Sequence, residues 1–130
     1  MGKSSLAGIF QVAFHILGEM GANADIKWTA PCDCQLIHVS AVQSDADAAG
    51  ITIGDSTDAD GYCTVFSCGV SGTPVEKEAL TDFDGALAGS QYPDIDDGDI
   101  IAIAIDYDYY AGAGSGAASN VTIVLTFAQG

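Results

Sequence analysis

The chain has 130 residues, enough for one ordinary domain, and 48% of them are apolar, so it can bury a core without metal or disulfide staples and is not a disordered segment. Its 18 acidic residues face three lysines (Lys3, Lys27 and Lys77) and no arginine, for a net charge of −15. That field repels phosphate, which argues against nucleic acid and against an anionic membrane surface, and it makes copies of the chain repel one another unless they bury apolar surface or salt screens the charge.

The predicted elements are almost all strands. Residues 9–17, "IFQVAFHIL", put Phe10, Val12, Phe14 and Ile16 on one face and Gln11, Ala13 and His15 on the other, a period of two. The wider apolar stretch, Leu6–Met20, is broken by Gln11, His15 and Gly18 and is too short to span a bilayer. Lys3 before it and "ANA" at 22–24 after it mimic the ends of a leader, but the alternation reads as a strand. Leu6 spoils a myristoylation match, and "NVT" at Asn120 is a weak glycosylation sequon. "DIKWTA" (25–30) alternates next, with Ile26, Trp28 and Ala30 inward, and Pro31 stops it. Further strands are read at 35–44, 51–53, 64–70, 75–80 (a strand in preference to a helical turn), 99–110 and 121–127. "DGALAGSQYPDIDDG" (84–98) is a long connection, and "AGAGSGAASN" (111–120) a low-complexity loop. About eight strands with no long helix predict an all-β fold: an antiparallel β-sandwich, best a jelly roll, with an immunoglobulin-like sandwich as the rival. Residues 1–23 read as an N-terminal strand or arm packed on or extending the domain, and 24–130 as the sandwich, one domain in all.

No stretch announces chemistry. "DSTDADGY" (55–62) offers Asp55, Asp58 and Asp60 as calcium candidates, with Asp45 or Asp47 as neighbours from another turn. An EF-hand is rejected: with Gly61 at the sixth position, the twelfth falls on Ser67 in place of a bidentate glutamate, and no helices flank the loop. Aspartate and glycine are also turn formers, and a plain turn is the preferred reading; "PDIDDGD" (93–99) has the same ambiguity. Cys32 and Cys34 are closer than the usual zinc spacing, while Cys63 and Cys68 fit either half a zinc site or a local disulfide. Buried free thiols are the preferred state, with the pairing open. His15 and His38 lie within strands and lack any nucleophile motif, so no catalytic residue is assigned. In "DYDYY" (106–110), Tyr107 and Tyr109 share a strand face, where they could stack on sugars, anchor a protein interface, or sit half-buried at a strand end.

Taken together, Ala30–Pro31, the "TIG" of Thr52–Gly54 with its Asp55–Gly61 turn, the Pro93–Asp99 entry into a long apolar strand and the closing Val121–Phe127 resemble the small capsid decoration (cement) proteins of tailed bacteriophages, over roughly residues 24–128. The resemblance implies a jelly roll, often a homotrimer, on the outer capsid surface of the virion, assembled in the host cytoplasm. It would bind the major capsid protein and clamp the shell without catalysis, cofactor, nucleic acid or membrane. Phe10, Tyr107 and Tyr109 are the interface candidates. A calcium-assisted carbohydrate-binding module, using the Asp55–Asp60 loop and the tyrosines, is the alternative.

Overall fold

Every second residue of Ile9–Glu19 is withdrawn from solvent, and this first strand, β1, sets the pattern for the rest. A computed structural model describes residues 8–46, 49–109 and 117–130. The strands that follow are β2 (Ala24–Thr29), β3 (Cys34–Val42), β4 (Gly50–Asp55), β5 (Cys63–Ser67), β6 (Val75–Lys77), β7 (Asp94–Ile95), β8 (Ile100–Asp106) and β9 (Ser119–Gln129). They form two antiparallel sheets, one ordered β1-β9-β3-β6 with β7 also on β3, the other β2-β8-β4-β5. The pairs β1–β9, β2–β8, β3–β6 and β4–β5 are nested like a folded hairpin. Rolling that hairpin up adds the contacts β3–β9 and β4–β8. This is the jelly roll predicted from the strand pattern.

The inner faces are apolar because each strand alternates. Leu36, Ile51, Ile53, Ile101, Ile103, Ile105, Ile123, Leu125 and Phe127 are all fully buried. Aromatic rings tie the sheets together at one end: Phe127 of β9 stacks on Phe10 of β1, with centroids 5.1 Å apart, and meets Trp28 of β2 at 5.1 Å. Among the described residues no buried side-chain polar atom lacks a partner; Gln43, almost wholly buried, accepts from Ser119 N–H through Oε1 at 3.1 Å.

Three sequence expectations change. The predicted strand at 75–80 ends at Lys77, and Leu80–Asp82 is a 3-10 turn. Its reversal is held by the Asp82 carboxylate, which accepts from Glu78 N–H and Ala79 N–H. The connection 84–98 contains β7, which pairs with Cys34 and Gln35 and is fastened by Gln35 Nε2 donating to Asp94 at 2.9 Å. The predicted strand 99–110 stops at Asp106. The low-complexity loop at 111–120 lies mostly outside the described residues, as do Asp47 and residues 1–7.

Candidate interaction surface

The chain's charge is distributed very unevenly over this frame. β1, β3 and β9, with 11, 9 and 11 residues, carry a single carboxylate, Glu19 at the end of β1. Most of the acids sit instead in turns and at strand ends, at Asp55–Asp60, Asp82–Asp84, Asp94–Asp99 and Asp106–Asp108, with Asp25 on β2 and Glu76 on β6. The outer face of the β1-β9-β3 sheet is therefore nearly neutral. Register places Gln11, Thr126 and His38 in one row across it, Ala13, Val124 and Ser40 in the next, and His15, Thr122 and Val42 in the third. His15 Nδ1 shares a 2.7 Å hydrogen bond with Thr122 Oγ1, and His38 Nε2 lies 3.2 Å from Glu76 and 3.9 Å from Glu78. Both histidines are thus engaged with neighbours on a sheet surface. His38 reaches that surface through a register shift between Leu36 and His38, which lets Leu36 and Val39 both turn inward.

The Asp55–Tyr62 loop is organised around one carboxylate. Asp55 Oδ1 accepts from Thr57 N–H at 2.8 Å, Thr57 Oγ1 at 2.8 Å and Asp58 N–H at 2.9 Å. The Asp58 carbonyl accepts from Asp55 N–H and Gly61 N–H, both at 3.0 Å. Partial burial pushes the Asp55 carboxyl up, but the bonds from Thr57 and Asp58 outweigh it and leave it below the ordinary value. Asp58 is shifted the other way, chiefly because its carboxyl shares a hydrogen bond with Asp60. Among the described residues no group of three histidine, cysteine, aspartate or glutamate side chains is arranged to hold a metal. The three calcium candidates therefore divide into a turn cap, Asp55, and a hydrogen-bonded carboxyl pair, half-buried Asp58 and exposed Asp60.

Replacing Asp55 with alanine should cost about 1–2 kcal/mol at neutral pH, since three bonds to a charged acceptor are lost. The sign of the pH dependence follows from the depressed folded-state value. The stabilisation is present above the unfolded carboxylate range and is lost as pH falls through the folded value. Urea titrations of wild type and Asp55→Ala should therefore diverge at pH 7 and converge only as pH falls through the depressed folded-state value.

Of the interface candidates, Phe10 is turned inward, its ring stacked on Phe127 at 5.1 Å and 6.4 Å from Trp28. The outward residues of the same strand are those it alternates with, and Ile9 and Leu17 are 69% and 84% exposed. Tyr107 and Tyr109 do not alternate along a strand, because β8 ends before them. Tyr107 N–H donates to Asn23 Oδ1 at 3.2 Å and the ring packs on the core, while Tyr109, 51% exposed, lies over the face of Gly50. A β-carbon added at Gly50 would fall 2.7 Å from the Tyr109 ring. A depression of about 230 Å³ lies over β2 and β8, lined by Asn23, Ala24, Asp25, Ala104, Ile105 and Asp106. Asn120 of the sequon has its Oδ1 accepting from Gly18 N–H at 2.8 Å and its Nδ2 donating to Ser44 Oγ at 3.0 Å. It holds the irregularity between Ile16 and Glu19 of β1, with Gly18 at φ +81 and Asn120 at φ 52.

All four cysteines are free thiols, three of them buried and Cys32 half-exposed. Burial pushes Cys63 and Cys68 up to about 12 and Cys34 up to about 11, so they remain protonated and unreactive at neutral pH. Iodoacetamide on the native protein should add one carbamidomethyl group, at Cys32, and four after denaturation, read by intact mass.

No family model and no curated protein matches the sequence. Among solved structures, a chain of the cyanophage Pam1 capsid asymmetric unit is similar with TM-score 0.54 at 13% identity, over 95% of this chain and 85% of that one. A chain of infectious bursal disease virus, Gx strain, gives TM-score 0.35 at 12% identity over 95% of this chain and 33% of that one, too distant to carry an argument. At such identity the cyanophage likeness shows a shared fold.

Proposed function

We propose that this chain is a non-enzymatic structural virion protein that binds the outer surface of a phage capsid and stabilises contacts between major capsid proteins. The observation that carries this reading is the jelly roll, followed along 95% of the chain in a component of the cyanophage Pam1 capsid asymmetric unit. The residues agree with it. Strong acidity concentrated away from β1, β3 and β9 suits attachment to a cationic shell surface, and the nearly neutral sheet face suits close packing. The histidines are engaged on a surface without a nucleophile motif, and the buried thiols are held protonated. The homotrimer rests on the resemblance alone, and the chain's own edge chemistry argues for association in twos.

The test is co-sedimentation with shells assembled from the major capsid protein of the same virus. Saturable binding that weakens with salt and raises the temperature at which shells break is the expected result. A chain that stays in the supernatant, or that instead binds a glycan array in a calcium-dependent way, would overturn the proposal and favour a carbohydrate-binding module.

A further inference from the structure

Five strands have a side on which no described strand pairs: β1, the three-residue β6 and the two-residue β7 in one sheet, and β2 and β5 in the other. Natural sheets protect such edges with charge, proline or brevity, because an unpaired row of N–H and C=O groups is a template for another strand. β2 is six residues long and carries Asp25 and Lys27, and β5 has five residues. β1 has none of these protections: it runs for 11 residues, and from Ile9 to Leu17 it holds neither a charge nor a proline.

Its backbone parity is set. Gln129 N–H donates to the Gly8 carbonyl at 2.7 Å, and the register steps in twos from there, Phe10 with Phe127 and Val12 with Leu125. Even-numbered residues therefore turn their backbone groups to β9, and Ile9, Gln11, Ala13, His15 and Leu17 turn theirs to the open edge. The residue order is also close to a palindrome about Ala13. An antiparallel copy centred there sets Ile9 against Leu17, Gln11 against His15 and Ala13 against itself, all odd with odd, so the open N–H and C=O groups meet in register. On the inner side Phe10 meets Ile16 and Val12 meets Phe14, which joins the two cores along the edge.

We infer that β1 is a self-pairing edge: two copies of this chain associate about a two-fold axis through Ala13, forming one continuous sheet across the pair. The charge distribution favours this occupant. Each copy carries −15, and β1 is the long open edge along which two copies can meet without apposing carboxylates. The pairing covers Ile9 and Leu17, the two most exposed large apolar side chains among the described residues. Such an isologous contact closes at two copies and cannot by itself generate a ring of three. The inference does not depend on capsid binding.

The experiment is light scattering on the full chain at on the order of 100 μM, where micromolar association is populated, in 0.15 M and 0.5 M salt, together with amide hydrogen exchange. The expected result is a dimer, firmer at high salt, whose odd-numbered β1 amides are protected along with the even ones. Ala13→Glu places two carboxylates across the axis on an exposed position, and Ala13→Pro removes an N–H that β9 does not use. Each should weaken association at least tenfold and expose the odd amides. Continued protection of the even amides verifies that the variant still folds. A monomer at this concentration, a trimer, or a dimer that survives both substitutions would overturn the inference. So would odd amides that become protected only on capsid shells, since the edge would then belong to the capsid partner.

Discussion

Phe127→Ala should destabilise the domain by about 3–5 kcal/mol, the range for emptying a large aromatic site that cannot collapse. Phe127 is fully buried on β9 and pairs in register with Phe10 on one side and Leu36 on the other. It also crosses the core to Trp28, so one ring joins both sheets. Its removal leaves a void bounded by two different sheets, neither of which can move without breaking its own ladder. A domain of this size has roughly 5–15 kcal/mol in total, and the melting temperature should fall by roughly 10–20 °C. Trp28 supplies the readout, since its fluorescence should shift to the red in the variant even before unfolding. Phe10→Ala, in the same cluster but half-exposed on an edge strand, should cost less; equal losses would mean that the two rings do not differ in burial as described.

Gly54→Ala should cost roughly 3 kcal/mol, the upper end of what overpacking produces. The added methyl would lie 1.9 Å from the Asp58 carbonyl oxygen and 2.6 Å from the Ala59 carbonyl carbon. Both are backbone, so no rotamer change relieves the collision. The oxygen it strikes is the one that accepts from Asp55 N–H and Gly61 N–H, which means the whole Asp55–Tyr62 turn must lift away from β4. A second tight approach backs this turn, where a β-carbon on Gly85 would fall 2.3 Å from Asp60 O and from Gly61 C. Gly18→Ala is the control: its φ of +81 disfavours a side chain, but nothing lies within 4 Å of the new atom, and about 1 kcal/mol is expected. Urea midpoints that move equally for the two variants would sink the explanation based on close approach.

Much of this architecture was legible from period alone. The alternation of 9–17 and 25–30 placed Phe10, Val12, Ile26 and Trp28 on the inner faces, where they are found, because side-chain direction along a strand is a local property that the next residue inverts. Aspartate and glycine marked the turn at 55–61 for an equally local reason, the Asp55 carboxylate bonding amides two and three residues on. The sequence by itself thus determined most of the strands, the faces they bury, a sandwich of about eight of them with the jelly roll preferred to an immunoglobulin-like rival, and the net charge. What it could not decide depends on which strands become neighbours. The end of β8 at Asp106 takes Tyr107 and Tyr109 off a common strand face. The shift at Leu36–His38 sends His38 outward, and β7 forms inside an apparent loop because Cys34 and Gln35 offer it an edge. Phe10 shares an apolar face with Val12, Phe14 and Ile16 in the sequence yet reads there as an interface candidate; that it packs inward against Phe127 and near Trp28 came only with the meeting of the sheets. The same holds for the neutral face. Three strands with a single carboxylate among them lie far apart in the chain, and only the pairing of β9 between β1 and β3 makes them one surface, with β1 left at its open edge. Local periodicity fixes which way a side chain points; non-local pairing decides what it points at, and that second step requires the folded molecule.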